Sequence, residues 1–291
     1  MTSFEKAPPP VQSESVASVS RKEITRINHD VEACIFAGRL LSNRLRTPSY
    51  IRDAHEASWQ QTRAHVSQMR EKVEQDHGAI SAVSQYFAML HKAYLYEEGI
   101  AASAVFRHGA RYDRRELTRT TGRKTADVLK HALDMYDNPP EPSDKDNGGG
   151  FGGGMSGIIQ ELQFHYSYNS TYTHRRLAIP AFSIHDNIKR TDSHAFFSDR
   201  SGKGARVINI QVKSGKQAAR PPVNGFTMRD SDMSNTRTDN FPISRTASRL
   251  VQGSHVTPQE FDQYERATNK FNAIVWRRLQ KSNSLVIQAL N

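Results

Sequence analysis

The stretch that most limits what this chain can fold into is Arg206-Val207-Ile208-Asn209-Ile210-Gln211-Val212-Lys213-Ser214-Gly215. It is rich in β-branched residues and bounded by Gly202-Lys203-Gly204 and Ser214-Gly215, which predicts a short strand between turns. Successive side chains on a strand point to opposite faces. Ile208, Ile210 and Val212 therefore face a core, and Asn209, Gln211 and Lys213 face the other way. An amide and an ammonium group two residues apart suit an anionic ligand; a half-solvated strand face gives the same pattern.

Companion elements are read on both sides. Ile158 to about Phe164 reads as a helix carrying Glu161, Leu177 to Phe182 as a short or edge strand, and Arg190 to Phe197 as a second strand. Ala218 to Val256 is long, polar and weakly patterned, and reads as an extended loop or arm. Thr257-Pro258-Gln259-Glu260 then gives an N-cap, a first-turn proline and a capping-box acid. The helix it opens is amphipathic through Phe261, Tyr264, Phe271, Ile274, Val275 and Leu279.

The N-terminal half reads differently. Residues 1–19 are Pro-, Ser- and Ala-rich without periodicity, which predicts a disordered tail. Ser20-Arg21-Lys22-Glu23 fits a capping box, and Ile24, Ile27, Val31, Cys34, Ile35, Leu41 and Leu45 recur at helical spacing up to Pro48. Further helices are expected from about Asp53 to Asp76, through Ile80, Val83, Phe87, Leu90 and Tyr94, and from Arg115 to Tyr136. Residues 138–154 hold Pro139-Pro140 and the run Gly148 to Gly154; no Gly-Lys-Ser/Thr follows, so the run reads as a flexible linker. The expected fold class is α+β: a helical domain over 20–137, the linker 138–154, and a smaller α/β domain with a mixed sheet over 155–291, including the arm 218–256 and the C-terminal helix.

Asp192 precedes Gln211 by an interval that two antiparallel strands and a loop can fill. Asp192 followed by Gln211-Val212-Lys213, with Glu161 on a preceding helix, resembles the PD-(D/E)xK nuclease superfamily, in which an acid on one strand precedes an (E/D/Q)-x-K triplet on the next. The resemblance covers roughly residues 155–215. It implies a nuclease-like domain in which Asp192 and Gln211 hold Mg²⁺ or Mn²⁺ through oxygen atoms, aided by the Val212 carbonyl. It further implies that Lys213 orients a water or stabilises charge on phosphate, and that Glu161 holds a water beside the ion. Gln211 stands where the commoner family member has Glu, which removes one negative charge from the site. Thr191, not proline, precedes Asp192.

Composition narrows the partner. The formal net charge is +10 and the pI about 9.7, which favours a polyanion such as DNA or RNA. Arg111, Arg114, Arg115, Arg119, Arg123 and Lys124 form a basic run that reads either as a phosphate-contacting strip or as a solvated face. Arg175 and Arg176 beside Tyr166, Tyr168 and Tyr172 fit either stacking on unpaired bases or an ordinary half-buried segment. His165, His174, His185 and His194 lack a shared metal-ligand spacing. No stretch reaches the length of a membrane-spanning helix, no secretory signal opens the chain, and the single cysteine, Cys34, excludes an internal disulfide framework, so an intracellular location is expected. Two functions of different class follow: a metal-dependent nucleic-acid phosphodiesterase, or a non-enzymatic nucleic-acid-binding or packaging protein, for example a viral or mobile-element structural protein. A degenerate nuclease fold kept only for binding lies between them.

Overall fold

The computed structural model describes residues 19–42, 44, 46–75, 83–100, 114–138, 150–170, 176–183, 186, 191–198, 204–213, 225–229, 243–281 and 285–288. In chain order the elements are α1 (Arg21–Ser42), α2 (Ser49–Gln75), α3 (Val83–Tyr94), α4 (Arg114–Asp137), α5 (Gly150–Ser170), β1 (Arg176–Pro180), β2 (Ser193–Ser198), β3 (Gly204–Lys213), β4 (Gly225–Arg229), α6 (Ile243–Val251), α7 (Pro258–Lys281) and β5 (Leu285–Gln288). The fold is α+β. No helix among the described residues is long and apolar enough to cross a membrane.

Local chemistry sets the helix ends. The Ser20 hydroxyl accepts the Glu23 N–H at 3.2 Å and opens α1. Pro48, expected to close this helix, instead starts the next: its carbonyl accepts the N–H groups of Ile51 and Arg52. At α6 the Ser254 N–H reaches the Arg249 carbonyl and the Gly253 N–H that of Leu250. That pattern needs a left-handed residue, supplied by Gly253 at φ 69. The apolar stripes of α1 to α4 meet in one core through Ile24, Val31, Met69, Phe87, Leu90, Val128 and Leu129.

The strand 204–213 is the centre of the sheet. β1, β2 and β3 form an antiparallel meander, with Ala178 paired to Ala195 and Ala195 to Ile208. On its other edge β3 divides between two partners. Its first residues, Gly204 to Val207, pair antiparallel with β5, and Asn209 to Lys213 pair parallel with β4. The sheet is therefore mixed. Ile208, Ile210 and Val212 lie in a second core with Phe164, Tyr168, Ala178, Ala195, Ala247, Tyr264 and Ala267, as the alternation predicts.

Three expectations change. The glycine run read as linker is where α5 begins, at Gly150. Helical glycine costs about 1 kcal/mol per residue. Burying Met155, Ile158, Ile159 and Leu162 contributes about 1.5–3 kcal/mol each and outweighs it. The arm 218–256 contains β4 and the helix α6, whose Thr246 and Ala247 are buried. The C-terminal residues 285–288 add a strand that no local pattern announced. Residues 139–149 of the linker, and 218–224 and 230–242 of the arm, lie outside the described residues, as does the tail to residue 18.

Candidate metal and nucleic-acid site

Asp192 sits one residue before β2, just beyond the last pair of the β2–β3 register, Ser193 with Ile210. Its backbone N–H donates to the Ile210 carbonyl at 2.9 Å, and its own carbonyl accepts the Ala181 N–H at 3.0 Å. The carboxylate then takes the next step of the ladder: Oδ2 accepts the Val212 N–H at 2.6 Å. A strand residue's N–H and C=O point to the same edge. The Val212 carbonyl therefore lies on the edge where this carboxylate sits. Asp192 and Gln211 are both buried, 8% and 5% exposed. Lys213 is the last residue of β3, two on from Gln211 and level with Arg229 of β4.

Glu161 comes from the helical layer. On α5 the Asn169 amide brackets Ala178, accepting from its N–H at 2.7 Å and donating to its carbonyl at 3.0 Å. One turn earlier, His165 Nε2 meets Ser193 Oγ at 2.9 Å. These contacts step along the sheet from the level of Ala178 and Ala195 to that of Ser193. The next turn back carries the half-buried Glu161 to the Asp192 end of the sheet. This helix packs on the apolar face built by Ala195, Ile208 and Ile210, so Glu161 approaches from that layer. The alternation of β3 turns Gln211 and Lys213 to the opposite face, and the expected grouping with Glu161 is not formed.

The donors named from the sequence are all oxygen: the Asp192 carboxylate, the Gln211 amide and the Val212 carbonyl. That chemistry fits a hard divalent ion, which takes oxygen ligands and keeps several waters. Only one of the two side chains carries charge, and among the described residues no group of three or more His, Cys, Asp or Glu is gathered to hold a metal. His194 Nδ1 lies 2.9 Å from Asn209 Oδ1 across the strand pair. Burial pushes His165 down to about 4, against the opposing pull of the Ile179 and Glu161 carbonyls.

The basic run fares less well as a phosphate strip. Arg119 donates twice to Glu116, at 2.7 and 2.8 Å, and Arg123 lies 3.8 Å from the same carboxylate. The Arg119 hydrogen bonds hold Glu116 below the usual carboxylate range. Lys124 pairs with the buried Glu98 at 2.8 Å. Arg114 and Arg115 open α4 and Arg176 opens β1, while Arg111 and Arg175 lie outside the described residues. Tyr168, considered for base stacking, is fully buried in the second core; Tyr172, His174 and His185 lie outside the described residues. A cavity of about 390 Å³ lies elsewhere, between α1 and α2, lined in part by Asp30, Cys34, His55 and His65.

A second basic region lies between Glu32 and Asp53. Residues 33–52 hold four arginines and no Asp or Glu, a signal visible in composition by window but diluted in whole-chain totals.

Fold and site together define an α+β protein whose mixed sheet buries the Asp192 carboxylate against the Val212 backbone. The chain matches no family model, no curated protein and no solved structure. The functional argument therefore rests on the geometry above.

Proposed function

We propose that this chain is a metal-dependent nucleic-acid phosphodiesterase acting on DNA or RNA. The observation that carries the reading is the buried Asp192 carboxylate at the end of β2, held against the Val212 backbone of β3 at 2.6 Å, between Gln211 and Lys213 in the chain. A sequence match to an acid and a Gln-x-Lys triplet is easily met by chance. Adjacent antiparallel strands that carry the two parts, with the carboxylate bonded to the backbone between Gln211 and Lys213, are not required by that match.

In this reading Asp192 and Gln211 hold a divalent ion through side-chain oxygens. The ion, when bound, supplies Lewis acidity that acidifies a water and offsets phosphate charge. Lys213 contributes a compact cation for the phosphate oxygens. The net charge of +10 draws a polyanion toward the molecule.

Binding without cleavage is the second reading, and one observation favours it. The Val212 N–H bond gives Asp192 a structural task, finishing the β2–β3 ladder, that needs no ion.

Single- and double-stranded DNA and RNA incubated with Mg²⁺, with Mn²⁺ and with chelator separate the two. We expect metal-dependent cleavage that falls by roughly a hundredfold or more in Asp192→Asn and in Lys213→Ala, with binding retained. Asp192→Asn keeps an oxygen for the Val212 N–H, so the variant tests the charge and not the ladder. Salt-sensitive binding with no cutting under either metal would leave only the second reading.

A further inference from the structure

We infer that the corner where α1 meets α2 is a docking surface for single-stranded nucleic acid, separate from the sheet. Arg44, Arg46 and Arg52 are exposed there, and no carboxylate among the described residues pairs with them. This is the reverse of α4, where Glu116 engages both Arg119 and Arg123. A guanidinium already held by a carboxylate has to exchange one anion for another to bind phosphate. One without such a partner does not.

The corner also displays aromatic surface. Phe36 is 57% exposed, Leu40 48% and Tyr50 70%. Among the described residues the other exposed large apolar side chains are Tyr136 and Phe261, far away in sequence on α4 and α7. Phe36 and Leu40 stand one turn apart on the same side of α1, and Phe36 is about 9 Å along the helix from its end at Ser42. Tyr50 lies in the first turn of α2, between Pro48 and Arg52.

Rings beside unpaired arginines match what a single strand offers. Bases present π-faces that stack on aromatic side chains, and the phosphates between them attract guanidinium groups. A duplex keeps its bases stacked on one another and can use only the charges. Residues 33–52, between Glu32 and Asp53, carry four positive charges and no negative one, a local charge that a phosphate backbone complements.

The inference does not rest on cleavage. Binding of a labelled uridine 20-mer, a thymidine 20-mer and a 20-base-pair duplex to the full chain, in chelator and across a salt series, tests it. We expect both single strands to bind more tightly than the duplex. Tyr50→Ala and Phe36→Ala should each weaken single-strand binding roughly five- to hundredfold with little change for the duplex. Arg44→Gln/Arg46→Gln/Arg52→Gln should weaken all three ligands and flatten the salt dependence. Arg119→Gln/Arg123→Gln should change little. All the corner side chains are exposed, so these variants leave the core intact. Parent-level binding in the triple arginine variant, no single-strand preference, or no binding by the parent chain would each overturn the inference. So would self-association lost in Phe36→Ala without any nucleic acid bound, which would assign the corner to a second copy of the chain. Cleavage that fails while single-strand binding follows this pattern would sink the catalytic proposal and leave this one standing.

Discussion

Two histidines at the seam between helices and sheet make stability depend on pH. His91 and His165 are 2% and 1% exposed and meet edge-on with ring centres 4.9 Å apart. His91 Nε2 lies 3.0 Å from Thr125 Oγ1, and His165 Nε2 is held by Ser193. Burial pushes both imidazoles below their usual value, His91 well below and His165 to about 4. As pH falls below 6.5 the unfolded chain takes up protons that the folded one refuses, so the folded state loses stability down to about pH 4. For His165 alone the loss is roughly 3 kcal/mol over that window. Urea unfolding at pH 7.5 and pH 4.5 measures it, and His165→Gln should flatten the difference. An unchanged pH dependence in His165→Gln and His91→Gln would mean that neither ring is buried neutral. Carboxylates act in a lower window. Burial opposes the charge of Glu32, but Lys92 at 2.5 Å and the Ser183 N–H and hydroxyl outweigh it and lower its pKa, so its contribution disappears only under more acid conditions.

At the scale of elements, what the sequence revealed was what is local. The capping box at α7 is complete: the Glu260 N–H donates to Thr257 Oγ1 at 3.2 Å and the Thr257 N–H to Glu260 Oε2 at 2.8 Å. The Thr257 N–H, Arg249 and the Thr257 hydroxyl together hold the Glu260 carboxyl down at about 2. Thr257→Ala should therefore lower stability by about 1 kcal/mol, read as a reduced midpoint in chemical denaturation at pH 7. A change within error would mean that the ion pair from Arg249, at 2.6 Å, positions Glu260 without the threonine. The alternation of β3 was legible for the same reason, because burial of Ile208, Ile210 and Val212 follows from a period of two. Elements sustained by distant partners were not. β4 is a strand because Asn209 to Lys213 lie beside it, and β5 because Gly204 to Val207 do. α5 extends into glycines because α4 and the sheet cover its later turns. The candidate site divides along the same line. The antiparallel pairing of β2 with β3 was readable from strand spacing. The carboxylate's bond to Val212 and the neutralisation of Lys124 by Glu98, 26 residues away, were not.

For the whole molecule, α5 decides whether the chain behaves as one cooperative unit or two. Met155, Ile158, Ile159 and Leu162 belong to the helical core, and Phe164 and Tyr168 two residues and one turn further on belong to the core under the sheet. Tyr166 packs against both. A flexible connection at the glycine run would let the halves melt separately, whereas a single helix threaded through both cores couples them. Calorimetry should accordingly show one transition whose calorimetric and van't Hoff enthalpies agree. Leu162→Ala, at about 2–5 kcal/mol, and Phe164→Ala, at about 3–5 kcal/mol, remove side chains from different cores. Each should shift that one transition as a whole. Two resolved transitions, with Phe164→Ala moving only one of them, would show that the cores fold independently. The sheet carrying Asp192 and Gln211 would then be separable from the α1–α2 corner, and each proposed activity could be sought on its own half of the chain.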